Sequence, residues 1–537
     1  MMSVSSRRSL AKGVTLSLSI ALASYTAQTY AADQKLMIGM AAPATTMDPH
    51  TASNAPNNAL HGHIYESLVE NNQVSKPEPM LAESWEAVDD THWKFKLRDG
   101  VKFSDGSNFD AEDVIASFKR AMTVDAVASY RAYTRTIKDI TTPAPGYVVF
   151  ETKEPDPILL NSLSRIRIIS SEYAKATSAD FDSGKAAIGT GPFTLATYNP
   201  GSQVTLKRNE HYWGTKPQWT DVTLRMIPDN GARLAGLLSG ELDVVEQLPF
   251  EGIEQVEKKS SLKVSEGTSS RIVFLGLNLG ATTSPYFRDN QGKPLATNPL
   301  RDKRVREAMA LSINRQAIVE RVMQGHAIVA DQYLAKGMEG TSQNIEPTPF
   351  DIAKAKNLME QAGYKDGFQL TLQSSNGRIV NDAKIAQVIA QMFSRIGIKA
   401  SVDVMPWSVY AGRGTDVGVY LRSWGVNSGE TSNPINALNA TWNEATGAGG
   451  YNFGRISDPA IDEPLQVAMK NIDPAVRFPA LAKASEAVFL NYYTLPLYFE
   501  TVVTGVKRNI EYTPRFDGYT LAQDIKTGNV SNRQAAQ

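Results

Sequence analysis

Gly189-Thr-Gly-Pro-Phe-Thr-Leu-Ala-Thr-Tyr198, continued by Gln203-Val-Thr-Leu-Lys-Arg-Asn209 and closed by His211-Tyr-Trp-Gly214, reads as a strand pair with a tight entry and an aromatic exit. Gly191-Pro192 punctuates the chain before Phe193-Thr-Leu-Ala-Thr197. Asn199-Pro200-Gly201 supplies the turn, and Val204 and Leu206 alternate with polar neighbours on the return. On its own such a hairpin decides little. Its weight comes from what precedes and follows it.

Upstream, Arg7, Arg8 and Lys12 give a basic start, and residues 13–24 are apolar or small and uncharged. Thr29-Tyr30-Ala31 fits a small-x-small cleavage site, so residues 1–31 read as an export signal. The apolar run falls short of the ~20 residues that span a bilayer. Ser6-Arg7-Arg8-Ser9-Leu10-Ala11-Lys12 also looks like a twin-arginine signal, and an ordinary secretory signal with adjacent arginines reads equally well. Cleavage leaves 506 of the 537 residues and takes the formal net charge from −1 to −4. That length suits several cores. A weakly acidic, evenly charged chain argues against nucleic acid or an anionic membrane as partner. The chain has no cysteine, which removes disulfides, thiolate catalysis and cysteine-based metal sites.

Strand-like and helix-like segments are mixed throughout. Lys35-Leu-Met-Ile-Gly-Met40 reads as a first strand, leading to Thr46-Met-Asp-Pro49 and a helix-like run through His63-Ile-Tyr-Glu-Ser-Leu-Val69. Leu81-Ala-Glu-Ser-Trp85 precedes a second alternating strand, Trp93-Lys-Phe-Lys-Leu97, turned by Asp99-Gly100. Asp110 is a plausible N-cap with Asp113 at the third helical position, Phe109 and Val114 form a hydrophobic staple, and Phe118-Lys-Arg120 follows. Phe274-Leu-Gly-Leu-Asn278 is separated by an insertion from Asp302 to Arg315, a helical block whose arginines are expected on a solvated face. A helix capped by Asp351, a strand at 367–372, a helix from Asp382 ended by Gly397 and a strand at 398–404 complete a unit expected to carry parallel strands.

Taken in order, these motifs, with Tyr493-Thr-Leu-Pro-Leu-Tyr498 near the C-terminus, resemble the large periplasmic solute-binding proteins of the peptide, nickel and glutathione class, family 5, which feed ABC importers. The resemblance covers essentially the whole mature chain. It implies an α/β, two-lobed periplasmic-binding-protein fold with an extra subdomain in the first lobe. That lobe is expected over 33–272 with 499–537 returning to it, its inserted subdomain over about 63–185, and the second lobe over 273–498. Hinges are expected near Phe274-Leu-Gly276 and Leu497-Tyr-Phe499. The missing lipidated cysteine implies a freely diffusing periplasmic protein of a Gram-negative cell. It is expected to act as a monomer that delivers short peptides or peptide-like solutes to the permease subunits of an ABC transporter.

In peptide-binding members of that class a loop carries Trp-x-x-Asp, whose acid pairs with the ligand ammonium. Here Trp424 matches, Asn427 stands in the acid's place, and Glu430 is the nearest carboxylate. Trp424 is read as either a core or a ligand-stacking residue, and Glu430 as an exposed acid or a substitute partner. Trp407 and Tyr410 follow a strand end, where clefts usually open. Arg378, Arg413 and Arg422 are candidates to hold a ligand carboxylate.

No nucleophile elbow, zincin motif, phosphate loop or dinucleotide fingerprint is present. No catalytic residues, metal ligands or cofactor are expected. His61 and His63, two apart, do not face one another on a helix and are expected as surface or inter-lobe histidines. A metal-chelate or haem carrier on the same fold would need His61, His63 or His211 in the cleft. A periplasmic hydrolase or a chaperone is the more distant alternative.

Overall fold

The computed structural model describes residues 34–528 apart from 73, 127, 128, 281 and 427. The export segment read over residues 1–31 lies outside the described residues. No helix among the described residues is long and apolar enough to cross a membrane.

Strand β1 (Lys35–Met40) and helix α1 (Ala55–His61) open the first lobe. A separate four-stranded sheet follows, built from β2 (Ala82–Ala87), β3 (His92–Leu97), β4 (Ile137–Thr141) and β5 (Tyr147–Thr152) in the order β2-β3-β5-β4. Helix α2 (Ala111–Thr123) starts at the expected capping box, in which Asp110 and Asp113 satisfy each other's turn. The alternation in Trp93-Lys-Phe-Lys-Leu97 turns Phe95 inward onto Phe150 at 5.4 Å, and Phe118 of α2 meets the same ring at 4.9 Å. These edge-on aromatic contacts centre a core running from Leu68 to Ile168.

The chain then returns to the first sheet through β6 (Phe193–Asn199), β7 (Gln203–Arg208), β8 (Asp221–Met226) and β9 (Val244–Val245), which stand in the order β9-β1-β8-β7-β6. β6 and β7 are the antiparallel hairpin expected from the sequence. The glycines before it have a contact reason. The amide of Gly191 donates to the Ile64 carbonyl at 2.8 Å, and a Cβ on Gly191 would lie 2.6 Å from that oxygen. Gly189 meets the same carbonyl even more closely. Backbone approach at this range requires residues without a side chain. Gly191→Ala is therefore expected to lower stability by about 1–3 kcal/mol, read as a drop in urea midpoint at unchanged slope. The aromatic exit is tied to the same place. Tyr212 Oη and Trp213 Nε1 donate to the Glu66 carboxylate at 3.1 and 2.8 Å, and burial raises that carboxyl to about 7.

The Thr46-Met-Asp-Pro49 turn holds a buried charge. Arg120 grips Asp48 bidentately, both contacts at 2.7 Å, and Ser178 adds a third donor at 2.9 Å. Burial alone would raise the Asp48 carboxyl, but the Arg120 hydrogen bonds and charge hold it below its usual range. His50, His61 and His63 surround this turn and are fully buried. That corrects the expectation of surface or inter-lobe histidines. α1 stops at His61, so the two side chains turn into the lobe: His61 Nε2 meets the Thr46 carbonyl at 3.0 Å, and His63 contacts the Ala59 carbonyl and the Ala522 amide. A second correction concerns the block from Asp302 to Arg315. Arg306 and Arg315 are buried rather than solvated, and each donates to backbone carbonyls, Asn491 and Leu300 for Arg306 and Pro496 and Ala310 for Arg315.

The second lobe carries β10 (Leu262–Leu277), β11 (Phe368–Asn376), α3 (Asp382–Ser394), β12 (Ile398–Pro406), α4 (Trp407–Ala411) and β13 (Val419–Gly425), and β14 (Thr494–Lys507) completes it. β10 and β14 are long antiparallel strands that belong to both lobes. Leu262–Thr268 pairs with Lys507–Thr501, and Ile272–Gly276 with Phe499–Thr494. Between them residues 269–271 bulge against Glu500 alone. One sheet of 12 strands thus runs through both lobes.

Candidate functional site

In the second lobe β11 is parallel to β12 on one side and to β13 on the other. The chain leaves β11 through α3 to β12, then crosses back past β11 to reach β13. Strand order therefore reverses beside β11, and a crevice at the C-terminal ends of such strands is the usual ligand position in open α/β sheets. The β11–β13 pairing stops at Gln373 opposite Tyr420, and beyond it the strands part.

At the gap is a small pocket of about 30 Å³, lined by Ser375, Arg378, Ile379, Trp407, Tyr410, Leu421, Arg422 and Ser423. Four of the eight sequence-derived candidates meet here: Arg378, Trp407, Tyr410 and Arg422. They come from the β11–α3 loop, α4 and β13. Tyr410 is structural within it. Its hydroxyl donates to the Leu421 carbonyl at 2.5 Å and so satisfies a backbone acceptor that the parted strands leave free. Trp407 is 39% exposed, and the Arg378 guanidinium lies over its ring at 5.3 Å. Arg422 is 8% exposed and packs on Phe453 at 4.2 Å and Tyr451 at 5.8 Å.

Asp382 builds the loop that carries Arg378. Its buried carboxylate accepts from the amides of Gly377, Arg378 and Ile379 at 3.1–3.3 Å and from Ser375 Oγ at 2.9 Å. Sequence reading took this residue for a helix start and missed the role; Asn-Gly before an acid five residues on was the available signal. Arg271 and Glu500 were also missed. They face one another at 3.6 Å beside the bulge, and burial raises the Glu500 carboxyl although Arg271 and Arg378 oppose the shift. The charges of Arg271 and burial together push the Arg378 guanidinium down, burial contributing most.

The other candidates lie elsewhere. Arg413 is outside the pocket and is neutralised by Asp416 at 3.0 Å and Asp403 at 3.9 Å. Trp424 is half-buried: its ring meets Tyr451 edge-on at 5.1 Å and its Nε1 donates to Asn433 at 2.9 Å. Asn427 lies outside the described residues. Glu430 is 4% exposed and is committed to Arg477, whose Nε and Nη2 contact it at 2.5–3.0 Å, with Ser432 as a further donor. Among the described residues no cluster of three metal-ligating side chains occurs. His211 is exposed at the hairpin exit, and neither it nor the buried His61 and His63 lines the pocket.

A two-lobed α/β molecule with a crevice at a strand-order reversal has the form of a solute-binding protein. The family model for bacterial extracellular solute-binding proteins, family 5 (Middle), matches residues 76–446, and the chain belongs to that family. It is similar to the glutathione-binding protein GsiB of Salmonella paratyphi A, 28% identical over 491 residues that cover 89% of this chain and 91% of the relative. The fold is shared with the periplasmic binding protein DppA of Helicobacter pylori in complex with the peptide STSA, at a TM-score of 0.70 and 24% identity over 92% of this chain and 98% of that one. It is shared too with NikZ of Campylobacter jejuni in complex with Ni(L-His), at a TM-score of 0.72 and 20% identity over 92% of this chain and 100% of that one.

Proposed function

We propose that this chain is the periplasmic, substrate-capturing component of an ABC importer, that it binds short peptides or peptide-like solutes without transforming them, and that it hands them to membrane permease subunits as a monomer. The observation that carries this reading is the pocket at the strand reversal. Its exposed Arg378, spread over the Trp407 ring, presents a preorganised fork to a carboxylate. The relatives named above support the ligand class, and the family description supports the extracytoplasmic setting.

Capture requires the lobes to approach. We place the bending point at the bulge of residues 269–271 against Glu500, a few positions before Phe274-Leu-Gly276, because a bulged pair yields more readily than regular ladder. Two contacts already bridge the lobes near the subdomain: Asn161 Nδ2 donates to the Ser428 carbonyl at 3.1 Å, and Lys76 faces Glu339 at 3.6 Å. The metal-chelate reading lacks support at this site, since none of the pocket residues is a histidine.

Native mass spectrometry of protein purified without refolding, with thermal melts in a short-peptide mixture and in glutathione, tests the reading. Co-purified peptides, or a ligand present at 100 times its Kd adding about 2.7 kcal/mol of stability, are the expected results. A clean apoprotein whose melt moves with neither probe would refute it.

A further inference from the structure

We propose that Arg422 forms a second anion subsite beside Arg378, so that the cleft selects ligands bearing two acidic groups. The inference rests on the capture reading above and narrows its ligand class.

The Arg422 side chain is 8% exposed, yet no carboxylate lies within ion-pair distance of it among the described residues. Its guanidinium faces aromatic rings, Phe453 and Tyr451, and its electrostatic neighbours Tyr410 and Tyr420 are phenols that burial keeps neutral. A cation withdrawn from water without a counter-charge is unfavourable, and ring faces return part of that loss but do not cancel the charge. The arrangement is complete once an anion arrives.

The nearby acids cannot supply it. Glu430 is bound to Arg477, and Asp403 and Asp416 to Arg413. Asp382 is filled by backbone amides and Ser375, and Glu500 faces Arg271. Arg378 lines the same pocket, also without a carboxylate at ion-pair distance. A ligand with one carboxylate neutralises one of the two arginines; a ligand with two neutralises both. Glu430, the carboxylate nearest Trp424 in sequence, is taken by Arg477 and offers a ligand ammonium no free acid.

Isothermal titration with Ala-Glu-Ala, Ala-Gln-Ala and Ala-Lys-Ala, together with thermal melts in glutarate and in butyrate, tests the proposal on the full protein and on Arg422→Met. The expected result is that Ala-Glu-Ala binds about tenfold tighter than Ala-Gln-Ala, the scale of one charge-assisted contact, and that Arg422→Met abolishes this ratio. The same substitution is expected to raise the melting temperature of the ligand-free protein, because it removes an unpaired buried charge. A structural arginine would show the reverse. Equal affinities for the glutamate and glutamine peptides, a ratio that survives in Arg422→Met, or a lowered melting temperature in the ligand-free variant would overturn the inference. If no peptide binds while glutarate, and not butyrate, stabilises the protein through Arg422, the peptide reading falls and the diacid subsite stands. If neither peptides nor glutarate bind, both fall.

Discussion

Lowering the pH from 7.5 to 5 is expected to remove about 6 kcal/mol of stability through three histidines alone. His50, His61 and His63 are fully buried, and desolvation is the first cause that lowers each to about 4 from an ordinary 6.5. In the unfolded chain each takes up a proton near 6.5, whereas in the folded chain it does so only near 4. The stabilisation is therefore whole above 6.5 and is lost as pH falls through the window down to 4. At pH 5 each site lies about 1.5 pH units inside that window, about 2 kcal/mol apiece at 1.4 kcal/mol per unit. Arg120 adds to the effect on His50, since its charge also opposes a proton there. Urea midpoints at the two pH values check this. A His63→Gln variant should show a shallower pH response than the parent, and an equal response would contradict it.

The second large effect is expected at Arg477→Met, which should cost about 3–5 kcal/mol by leaving the Glu430 carboxylate buried without its partner. Both side chains are nearly inaccessible, and Arg477 also contacts the Ala468 carbonyl. The double replacement Glu430→Gln with Arg477→Met should recover much of that loss, because no charge is then stranded. Thermal melts of the two single variants and the double variant measure the coupling. Additive losses would mean that Glu430 does not depend on Arg477. The same set bears on the ligand: if Glu430→Gln shifts stability but leaves peptide affinity unchanged, the acid belongs to the loop and not to the solute.

Much of the fold was legible because its signals are local. Asp110 and Asp113 three apart, Asp351 before an apolar period, Gly397 at φ 85° after a helix and the alternation at 398–404 each report a constraint within a few residues. The histidines were misplaced for the opposite reason. His61 and His63 are polar by type, and what meets them inside the lobe is the Thr46 carbonyl, 15 positions from His61, and the Ala522 amide, 459 positions from His63. Arg306 and Arg315 were misread in the same way, since their acceptors are carbonyls at Asn491 and Pro496. In the pocket, Arg378 and Trp407 could be nominated as residues that follow strand ends, and Arg422 as an arginine able to hold a carboxylate. That Glu430 is spoken for, and that Arg422 is not, depends on partners brought together by the whole lobe.

β14 sits in the middle of the sheet that joins the lobes, yet it is made from residues 494–507. During synthesis both halves of the molecule lack their central strand until more than nine-tenths of the chain exists. β9 and β10 then have open edges waiting for a partner that comes last. The sheet that joins the lobes is thus kept open until its last strand arrives, and its closure is one late event. A polypeptide of this design stays threadable for most of its length, and its closing strand acts as the key that locks both halves together.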